Sequence, residues 1–207
     1  MFLPSDYEEK RLILMKKTAR QHFRELRKRI SAESRCLLDS ALLANIANLD
    51  CYKNAGTLLM YYPFNGEPNI LPLARHALSV GKTVAFPISH VETNTLTFHA
   101  VSRLEDMEYG EYGIREPSFE QPQITEFSGS MCIVPALAFD YFGYRLGYGK
   151  GYFDRFLEQY DGFSVGLIYS YSLSELLPRD TYDRKVDLII TEKGEMLPCE
   201  EEKKDSE

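Results

Sequence analysis

The chain lacks the sequence features of membrane proteins, of secreted proteins and of proteins built around metals or disulfides. No apolar run reaches the ~18 residues needed to cross a bilayer, and the N-terminal segment has no apolar stretch ending in small residues, as a secretory signal would. The four cysteines include no Cys-x-x-Cys pair, and the four histidines form no triad-like setting. We therefore expect a cytoplasmic protein whose cysteines are structural thiols.

What is present is the composition of an ordinary globular protein. A length of 207 residues suits one compact domain, and 44% apolar with 27% charged residues excludes disordered, collagen-like and coiled-coil classes. The net charge of −7 argues against a nucleic-acid partner. That charge is unevenly spread, because the first 35 residues contain ten Lys and Arg against five Asp and Glu. A basic segment in an acidic protein indicates a local role for that segment.

Hydrophobic periodicity predicts helices first and a sheet afterwards. Ser5 to Glu8 form a capping-box pattern at the head of an amphipathic helix that reaches about Ile30, and Ser31 caps a second helix ending near Asn48. Short apolar runs then predict strands at residues 57–62, 83–88, 95–101, 131–138, 164–169 and 186–191, with helices at 70–79 and 152–160. We expect an α/β fold of three layers, a mostly parallel sheet flanked by helices and preceded by a helical pair. The strands at 83–88 and 95–101 should form a hairpin, and residues 105–130 a surface excursion.

The most informative segment runs from Phe139 to Arg155 and reads FDYFGYRLGYGKGYFDR. It follows a predicted buried strand and leads into a helix, which is where α/β sheets bind ligands and where helix N–H groups hold anions. Gly147, Gly149 and Gly151 would let the backbone approach phosphate oxygens, and Arg145 and Lys150 add positive charge. The segment fits neither the Walker A nor the GxGxxG pattern. A phosphate cradle is the favoured interpretation, and a flexible Gly/Tyr turn is the alternative.

Two further features have both a functional and a structural interpretation. Lys16, Lys17 and Arg20 belong to a basic stripe on the first helix, which is either a second set of phosphate contacts or a solvated helix face. Glu67 lies beside Tyr62 in the segment YYPFNGEP. It is either an acid favoured by the N-terminus of the following helix or the polar anchor of a flat heteroaromatic ligand stacked on tyrosine.

Several longer segments together resemble one enzyme family. They are KKTARQHFRELRKRISAESR, YYPFNGEPN, YGIREP, VPALAFDYFGYRLGYGKGYFDRFL, VGLIYS and YDRKVDLIITE. Across residues 16–192 they resemble the 5-formyltetrahydrofolate cyclo-ligase family, and the long glycine segment is the most specific of them.

The resemblance implies an enzyme that uses Mg²⁺ and ATP to convert 5-formyltetrahydrofolate to 5,10-methenyltetrahydrofolate. ADP and phosphate would be released, through a phosphorylated formyl (iminium phosphate) intermediate. Two alternatives remain: another ATP-dependent small-molecule phosphotransferase on the same scaffold, and a non-catalytic folate-binding protein. The glycine segment alone would be compatible with a phosphotransferase. A folate-binding protein without catalytic activity could lack that segment.

The resemblance also implies a role for individual residues. It assigns ATP binding to Lys16, Lys17, Arg20, Arg145, Gly147, Gly149, Lys150, Gly151, Tyr152 and Asp154. It assigns catalysis to Arg145, Lys150 and Tyr152, folate binding to Tyr62, Glu67, Tyr112 and Tyr152, and magnesium to Asp154 and Asp187. A competing interpretation makes Asp187 a strand-end acid paired with Arg184 or Lys185. Some relatives have tryptophan in place of Tyr112, and some have arginine in place of Tyr148.

The resemblance and the composition of the two ends together set the expected organisation of the chain. Residues 16–198 would form a single cyclo-ligase domain, residues 1–15 an N-terminal extension of the first helix, and residues 199–207 a disordered acidic tail. The expected partners are the small molecules ATP and 5-formyltetrahydrofolate, with no nucleic acid and no membrane. We expect a monomer.

Overall fold

The computed structural model describes residues 6–200 of the chain. Five α-helices are α1 (Asp6–Lys28), α2 (Ala32–Asn48), α3 (Asp50–Asn54), α4 (Leu71–Ser79) and α5 (Tyr152–Glu158). The longer strands are β1 (Thr57–Leu59), β2 (Thr83–His90), β3 (Thr95–Val101), β7 (Ser130–Pro135), β10 (Phe163–Leu167) and β12 (Leu188–Thr191). Shorter strands are β4 (Glu108–Tyr109), β5 (Arg115–Glu116), β6 (Gln123–Ile124), β8 (Ala138–Asp140), β9 (Arg145–Leu146), β11 (Leu173–Ser174) and β13 (Gly194–Met196).

The central sheet has eight strands in the order β13-β12-β10-β7-β1-β2-β3-β6. The four pairings from β12 through β10, β7 and β1 to β2 are parallel, and β3, β6 and β13 add antiparallel edges. The predicted α/β class with a mostly parallel sheet is confirmed. So is the hairpin, since Val84 to His90 pair antiparallel with Thr95 to Val101.

Helices cover both faces of this sheet, which explains why its central strands are continuous hydrophobic runs. On one face, Leu42 and Ile46 of α2 and Leu73 of α4 belong to the core cluster that contains Ile133. On the other face, Phe156 of α5 packs with the inward side chains of β3 and β8, among others. The three-layer prediction therefore holds, with α2 and α4 in one outer layer and α5 in the other.

Helix α1 forms a separate contact at one end of the molecule. Its Phe23 packs in a small cluster with Leu137, Leu146 and Leu177. The helix begins at Asp6 and continues past residue 15 without a break, so the expected 1–15 extension is, from Asp6 onwards, part of the same helix. Ser5 of the predicted capping box lies outside the described residues. The predicted cap of α2 is confirmed, because Ser31 Oγ accepts a bond from Ser34 N at 3.2 Å.

Three predicted elements differ from the structure. Strand β1 ends at Leu59 instead of residue 62, and the chain then turns at Asn65 and Gly66, both of which have a positive φ. The predicted strand 131–138 is split after Pro135, which has no N–H to continue the ladder, and β8 joins β9 and β11 in a second sheet. The prediction of a surface excursion at residues 105–130 is wrong in part, since β6 within this segment pairs with β3 and Met107 is buried.

The ends of the described range bear on two other expectations. The predicted acidic tail falls mostly on residues 201–207, which lie outside the described residues. Cys199, at its start, donates its backbone N–H to Tyr141 O at 2.8 Å. Within residues 6–200, none of the helices combines the length and the apolar character that crossing a membrane requires.

Candidate active site

One cavity of about 670 Å³ brings together most of the side chains predicted to bind ligands. Its walls come from α1, from the segments 61–67 and 112–116, from the glycine segment 145–155 and from residues 180–184. The predicted residues that line it are Lys16, Arg20, Tyr62, Glu67, Tyr112, Arg145, Gly147, Gly149, Lys150, Gly151, Tyr152 and Asp154. Lys17 and Asp187 are not among its lining residues. Segments far apart in sequence therefore form one concave site.

The glycine segment connects β9 to α5 and adopts backbone angles that glycine tolerates. Gly149 has φ +108° and Gly151, directly before α5, has φ +72°. Both lie in the left-handed region, where an L side chain is strained. A Cβ at Gly149 would also lie 3.3 Å from Arg20 Cζ, and Arg20 Nε donates to Gly147 O at 2.9 Å. Helix α1 is thus docked against this loop through Arg20.

Arg145 and Asp154 form a largely buried ion pair at the base of the loop. Arg145 Nη2 lies 2.7 Å from Asp154 Oδ2, and the two side chains are 5% and 18% exposed. The guanidinium also lies 5.6 Å from the centre of the Phe153 ring. Among the described residues, Arg145 Nε has no hydrogen-bond partner. Arg145 is therefore held in place by Asp154 and has one donor unused.

The remaining cations of the site differ in how they are paired. Lys16 Nζ bonds Asp180 at 2.8 Å and Asp183 at 2.6 Å, and its side chain is only 12% exposed. The side chain of Lys150 is exposed and, within residues 6–200, has no hydrogen bond or ion pair. The charge of Lys16 is offset by two aspartates, whereas the charge of Lys150 is available to an anion.

Lys17 and Asp187 do not reach the cavity. Lys17 is exposed on α1, as the solvated-face interpretation of the stripe expects. Asp187 Oδ2 accepts bonds from Ser164 N at 2.8 Å and Ser164 Oγ at 2.6 Å. Asp187 therefore ties β10 to the start of β12, and the ion pair with Arg184 or Lys185 does not form, since Arg184 pairs with Glu158. Neither residue enters our proposals as a ligand contact.

Glu67 is buried at the inner end of the cavity. Its side chain accepts bonds from Phe64 N at 3.1 Å and from Tyr148 Oη at 3.0 Å, and the residue is 5% exposed. Desolvation raises the pKa of Glu67 to about 7, although the charge of Arg27 and these two hydrogen bonds act in the opposite direction. Its partners belong to its own turn and to the glycine segment, whereas α4 begins only at Leu71. The interpretation as a helix N-terminal acid is therefore not supported.

A tyrosine pair closes one wall of the cavity. Tyr112 Oη and Tyr152 Oη lie 2.8 Å apart, and their rings meet edge to face with centroids 6.0 Å apart. Desolvation, with the neighbouring Tyr112 hydroxyl, raises the pKa of Tyr152 to about 12. At neutral pH this hydroxyl is protonated, so it serves as a hydrogen-bond donor and not as a base.

Four residues important to the site were not assigned a role from the sequence. Arg27 is 3% exposed and donates to Tyr148 Oη at 3.1 Å and to Ala136 O at 2.6 Å. Tyr148 links Arg27 to Glu67, and Asp180 with Asp183 holds Lys16. One signal was available: Arg27 lies four positions after Phe23 and so shares its buried helix face. Two aspartates three positions apart gave a weaker indication of an acidic partner for the basic stripe.

The fit of the site to magnesium rests on Asp154. Among residues 6–200, no group of three His, Cys, Asp or Glu side chains is placed to hold a metal ion. Mg²⁺ commonly keeps several waters and binds one or two carboxylates together with substrate phosphates. A partly exposed Asp154 beside the glycine loop suits an ion that arrives with a nucleotide.

Comparisons with known proteins agree on one family. A family model for 5-formyltetrahydrofolate cyclo-ligases matches residues 13–192. The 5-formyltetrahydrofolate cyclo-ligase of Escherichia coli K12 is 28% identical over 142 residues, which cover 66% of this chain and 78% of that protein. The one from Haemophilus influenzae is 27% identical over 169 residues, 79% of this chain and 90% of that protein. The NMR structure of Aquifex aeolicus 5,10-methenyltetrahydrofolate synthetase is similar with a TM-score of 0.78 at 32% identity, over 93% of this chain and all of that one.

Proposed function

This chain belongs to the 5-formyltetrahydrofolate cyclo-ligase family of enzymes, and we propose that it cyclises 5-formyltetrahydrofolate to 5,10-methenyltetrahydrofolate while converting ATP to ADP and phosphate. One observation supports this more than any other. A single cavity contains both a cationic glycine loop and a wall of tyrosines with a buried carboxylate. The first suits a triphosphate and the second a pterin, so two substrates can meet there.

The proposed chemistry explains why phosphate-binding residues are needed for a ring closure. A formamide oxygen is a poor leaving group, so it first attacks the γ-phosphorus of ATP; the new O–P bond forms as the bond to ADP breaks. Nitrogen N10 of the folate then attacks the carbon of the resulting iminium phosphate and loses its proton. Phosphate departs with the former formyl oxygen. The chain's tasks are to align two ligands, to offset phosphate charge and to exclude water.

Lys150 and Arg145 are the proposed cations at the transferred phosphoryl group. Among residues 6–200 the Lys150 ammonium has no ion pair, and Arg145 has an unused Nε donor beside its bond to Asp154. Arg20 would hold the loop and contact the nucleotide, and Lys16 would exchange an aspartate for a phosphate oxygen. Tyr152 would donate its hydroxyl proton in a hydrogen bond to a phosphate oxygen or to the folate.

Magnesium has one proposed protein ligand here, Asp154. When bound, the ion would offset charge on the nucleotide phosphates. Asp154 would then have to share its carboxylate between the ion and Arg145, which is possible because a carboxylate has about four lone-pair positions.

Glu67 is the proposed acceptor for the amino and ring N–H groups of the pterin. Each of its oxygens already accepts one protein hydrogen bond, and each has a further lone pair available. Tyr62, Tyr112 and Tyr152 would supply the aromatic walls against which a flat ring stacks. The proposal includes a monomeric cytoplasmic enzyme with one catalytic domain at residues 16–198.

The test is turnover followed by the absorbance of methenyltetrahydrofolate, with ATP, without ATP and with a non-hydrolysable ATP analogue. The proposal requires product only with ATP, together with ADP in equal amount. Product formation without ATP would overturn the ATP dependence. Phosphorylation of an added alcohol, with no methenyltetrahydrofolate formed, would favour a small-molecule phosphotransferase instead.

A further inference from the structure

A second cavity, of about 450 Å³, lies next to the turn that holds Glu67. The turn residues Phe64 and Glu67 line the first cavity, whereas Asn65 and Gly66 line the second. The other lining residues are Arg24, Arg27, Lys28, Arg35 and Leu137. We propose that this cavity binds the phosphate group of a small anionic molecule, at a site separate from the cavity assigned to the reaction.

The charge around this cavity is strongly positive in a protein of net charge −7. Four of its seven lining residues are Lys or Arg, and none is acidic. One of the four, Lys28, has its charge offset by Glu25, whereas the nearby carboxylates of Asp39 and Glu67 are bonded to groups outside the cavity lining. Glu25 pairs with Lys28 at 2.8 Å, and Asp39 accepts bonds from Asn69 N and Tyr169 Oη. Glu67 is held by the Phe64 amide and Tyr148.

Two of the arginines, Arg27 and Arg35, have buried guanidinium nitrogens at this cavity. Arg27 is only 3% exposed, and its Nε atom has no partner among the described residues. Arg35 Nε is likewise buried and without a partner. A Cβ placed on Gly66 would lie 3.3 Å from Arg27 Cδ and 3.3 Å from Arg35 Nη1, so the two side chains converge there. A buried donor without an acceptor destabilises the folded protein, and a ligand oxygen would relieve that cost.

The chemistry of the donors favours phosphate. Guanidinium groups match the oxygens of phosphate with paired N–H bonds, and the converging guanidinium groups of Arg27 and Arg35 suit a doubly charged group. A volume of about 450 Å³ is in the range of small-molecule pockets and exceeds what one phosphate ion fills. A phosphate ester is therefore favoured over free phosphate.

The position of Arg27 gives such a ligand a route to the catalytic cavity. Its Nη1 donates to Tyr148 Oη, which in turn donates to Glu67. An anion bound at Arg27 would therefore change the surroundings of Glu67 without entering the first cavity.

The experiment is a titration of ¹⁵N-labelled protein with glycerol 3-phosphate and, separately, with inorganic phosphate, at constant ionic strength. The amide of Gly66 reports on the second cavity, and those of Gly149 and Gly151 report on the glycine loop. We expect a saturable shift at Gly66, with tighter binding of the ester. Arg35→Gln should weaken that binding at least tenfold, whereas Arg29→Gln, an exposed neighbour outside the cavity, should leave it unchanged.

Further variants separate this site from the loop. Lys150→Ala should remove the phosphate response of Gly149 and Gly151 and leave that of Gly66 intact. If Arg35→Gln does not fold, Arg24→Gln replaces it, since Arg24 also lines the cavity. The proposal is overturned if Gly66 shows no saturable shift, if both cavity variants bind like the unmodified chain, or if Lys150→Ala abolishes the Gly66 response. Tighter binding of triglutamate than of glycerol 3-phosphate at Gly66 would overturn the assignment to phosphate.

Discussion

Glu67 is the side chain whose chemistry depends most on where the fold places it. An isolated glutamate is ionised at neutral pH, but burial at the inner end of the cavity raises the pKa of this one to about 7. Its two protein partners, the Phe64 amide and the Tyr148 hydroxyl, both donate to it. The Glu67 carboxyl is therefore an acceptor that keeps its proton to a higher pH than an isolated glutamate does.

Glu67→Gln should reduce affinity for 5-formyltetrahydrofolate by roughly 5- to 150-fold while leaving ATP affinity unchanged. The amide turns one acceptor oxygen into a donor, which would face pterin groups that are themselves donors, at a cost of about 1–3 kcal/mol. Calorimetry with each ligand measures both effects. An equal loss for the two ligands, or no loss for the folate, would remove Glu67 from the folate pocket.

The same residue gives the stability a defined pH dependence. Between about pH 4.5 and 7 the folded chain retains the Glu67 proton that the unfolded chain has lost, so this residue lowers stability as the pH rises through that window. At pH 8 the ionised Glu67 lowers the free energy of unfolding by on the order of 3 kcal/mol. Urea unfolding at pH 5 and pH 8 should show a smaller loss of stability with pH in Glu67→Gln than in the unmodified chain. Equal losses in both proteins would contradict a raised pKa.

Lys150→Ala should lower kcat about 10²-fold with little change in folate affinity. The Lys150 ammonium would stabilise the negative charge on the phosphoryl group during its transfer. Removal of one such electrostatic partner raises the free energy of the transition state by on the order of 3 kcal/mol. Single-turnover kinetics measure the effect, and Lys193→Ala, exposed and outside the cavity, is the matched control. An unchanged kcat for Lys150→Ala would leave the loop as a turn without a catalytic role.

At the scale of elements, α1 illustrates what hydrophobic spacing does and does not predict. The spacing predicts the helix and its basic stripe, and it leaves open which cations meet a ligand. Neighbours Lys16 and Lys17 differ because the helix turns by about 100° per residue, so that one side chain enters the cavity and the next enters solvent. That rotation is fixed by the packing of Phe23 against Leu137 and Leu146 together with the bonds from Arg20 and Arg27 to distant backbone carbonyls.

Lys16→Gln and Lys17→Gln should therefore behave differently although they remove the same charge. Lys16→Gln should raise the KM for ATP and lower the Tm by a few degrees, because it leaves Asp180 and Asp183 without their shared partner. Lys17→Gln should change neither. Steady-state kinetics and thermal unfolding of the two variants check this, and a raised KM for Lys17→Gln would show that the helix is rotated differently in the working enzyme.

The parts of the site that the sequence could not predict are side-chain pairings over long separations. The glycine segment was recognisable because its spacing is local. The link from Arg27 through Tyr148 to Glu67 was not, because each pair is more than eighty positions apart in sequence. The placement of Asp187 outside the cavity could not be predicted for a similar reason: its partner Ser164 lies on the neighbouring strand, and nothing in the segment VDLII distinguishes a strand-linking acid from a metal ligand.

At the scale of the whole molecule, rigidity and exposure are unevenly distributed around the cavity. Strands β1, β7 and β10 have a neighbour on each side and lie between two helical layers. The two-stranded unit of β4 and β5 is small, and the segment between its strands contains the half-exposed Tyr112. We therefore expect the wall that bears Tyr112 to open more readily than the central strands.

Amide hydrogen exchange should reflect this difference. We expect the slowest exchange in β1, β7 and β10 and much faster exchange at residues 108–116. Addition of 5-formyltetrahydrofolate should slow exchange at 112–116 and at 147–152 and leave the central strands unaffected. If the ligand leaves residues 112–116 unprotected while protecting the glycine loop, Tyr112 does not belong to the folate pocket.

Helix α1 makes several of its contacts with residues that are synthesised much later than the helix itself. Lys16 bonds Asp183 across 167 positions, and Arg20 reaches Gly147 across 127. At ribosomal rates of about 5–20 residues per second, roughly 10–30 s pass between the synthesis of Lys16 and that of Asp183. Throughout that interval Lys16 lacks the two carboxylates that later offset its charge, so the basic stripe has its full positive charge, which favours solubility of the nascent segment. The catalytic cavity is completed only when the segment containing Asp180 and Asp183 has left the ribosome.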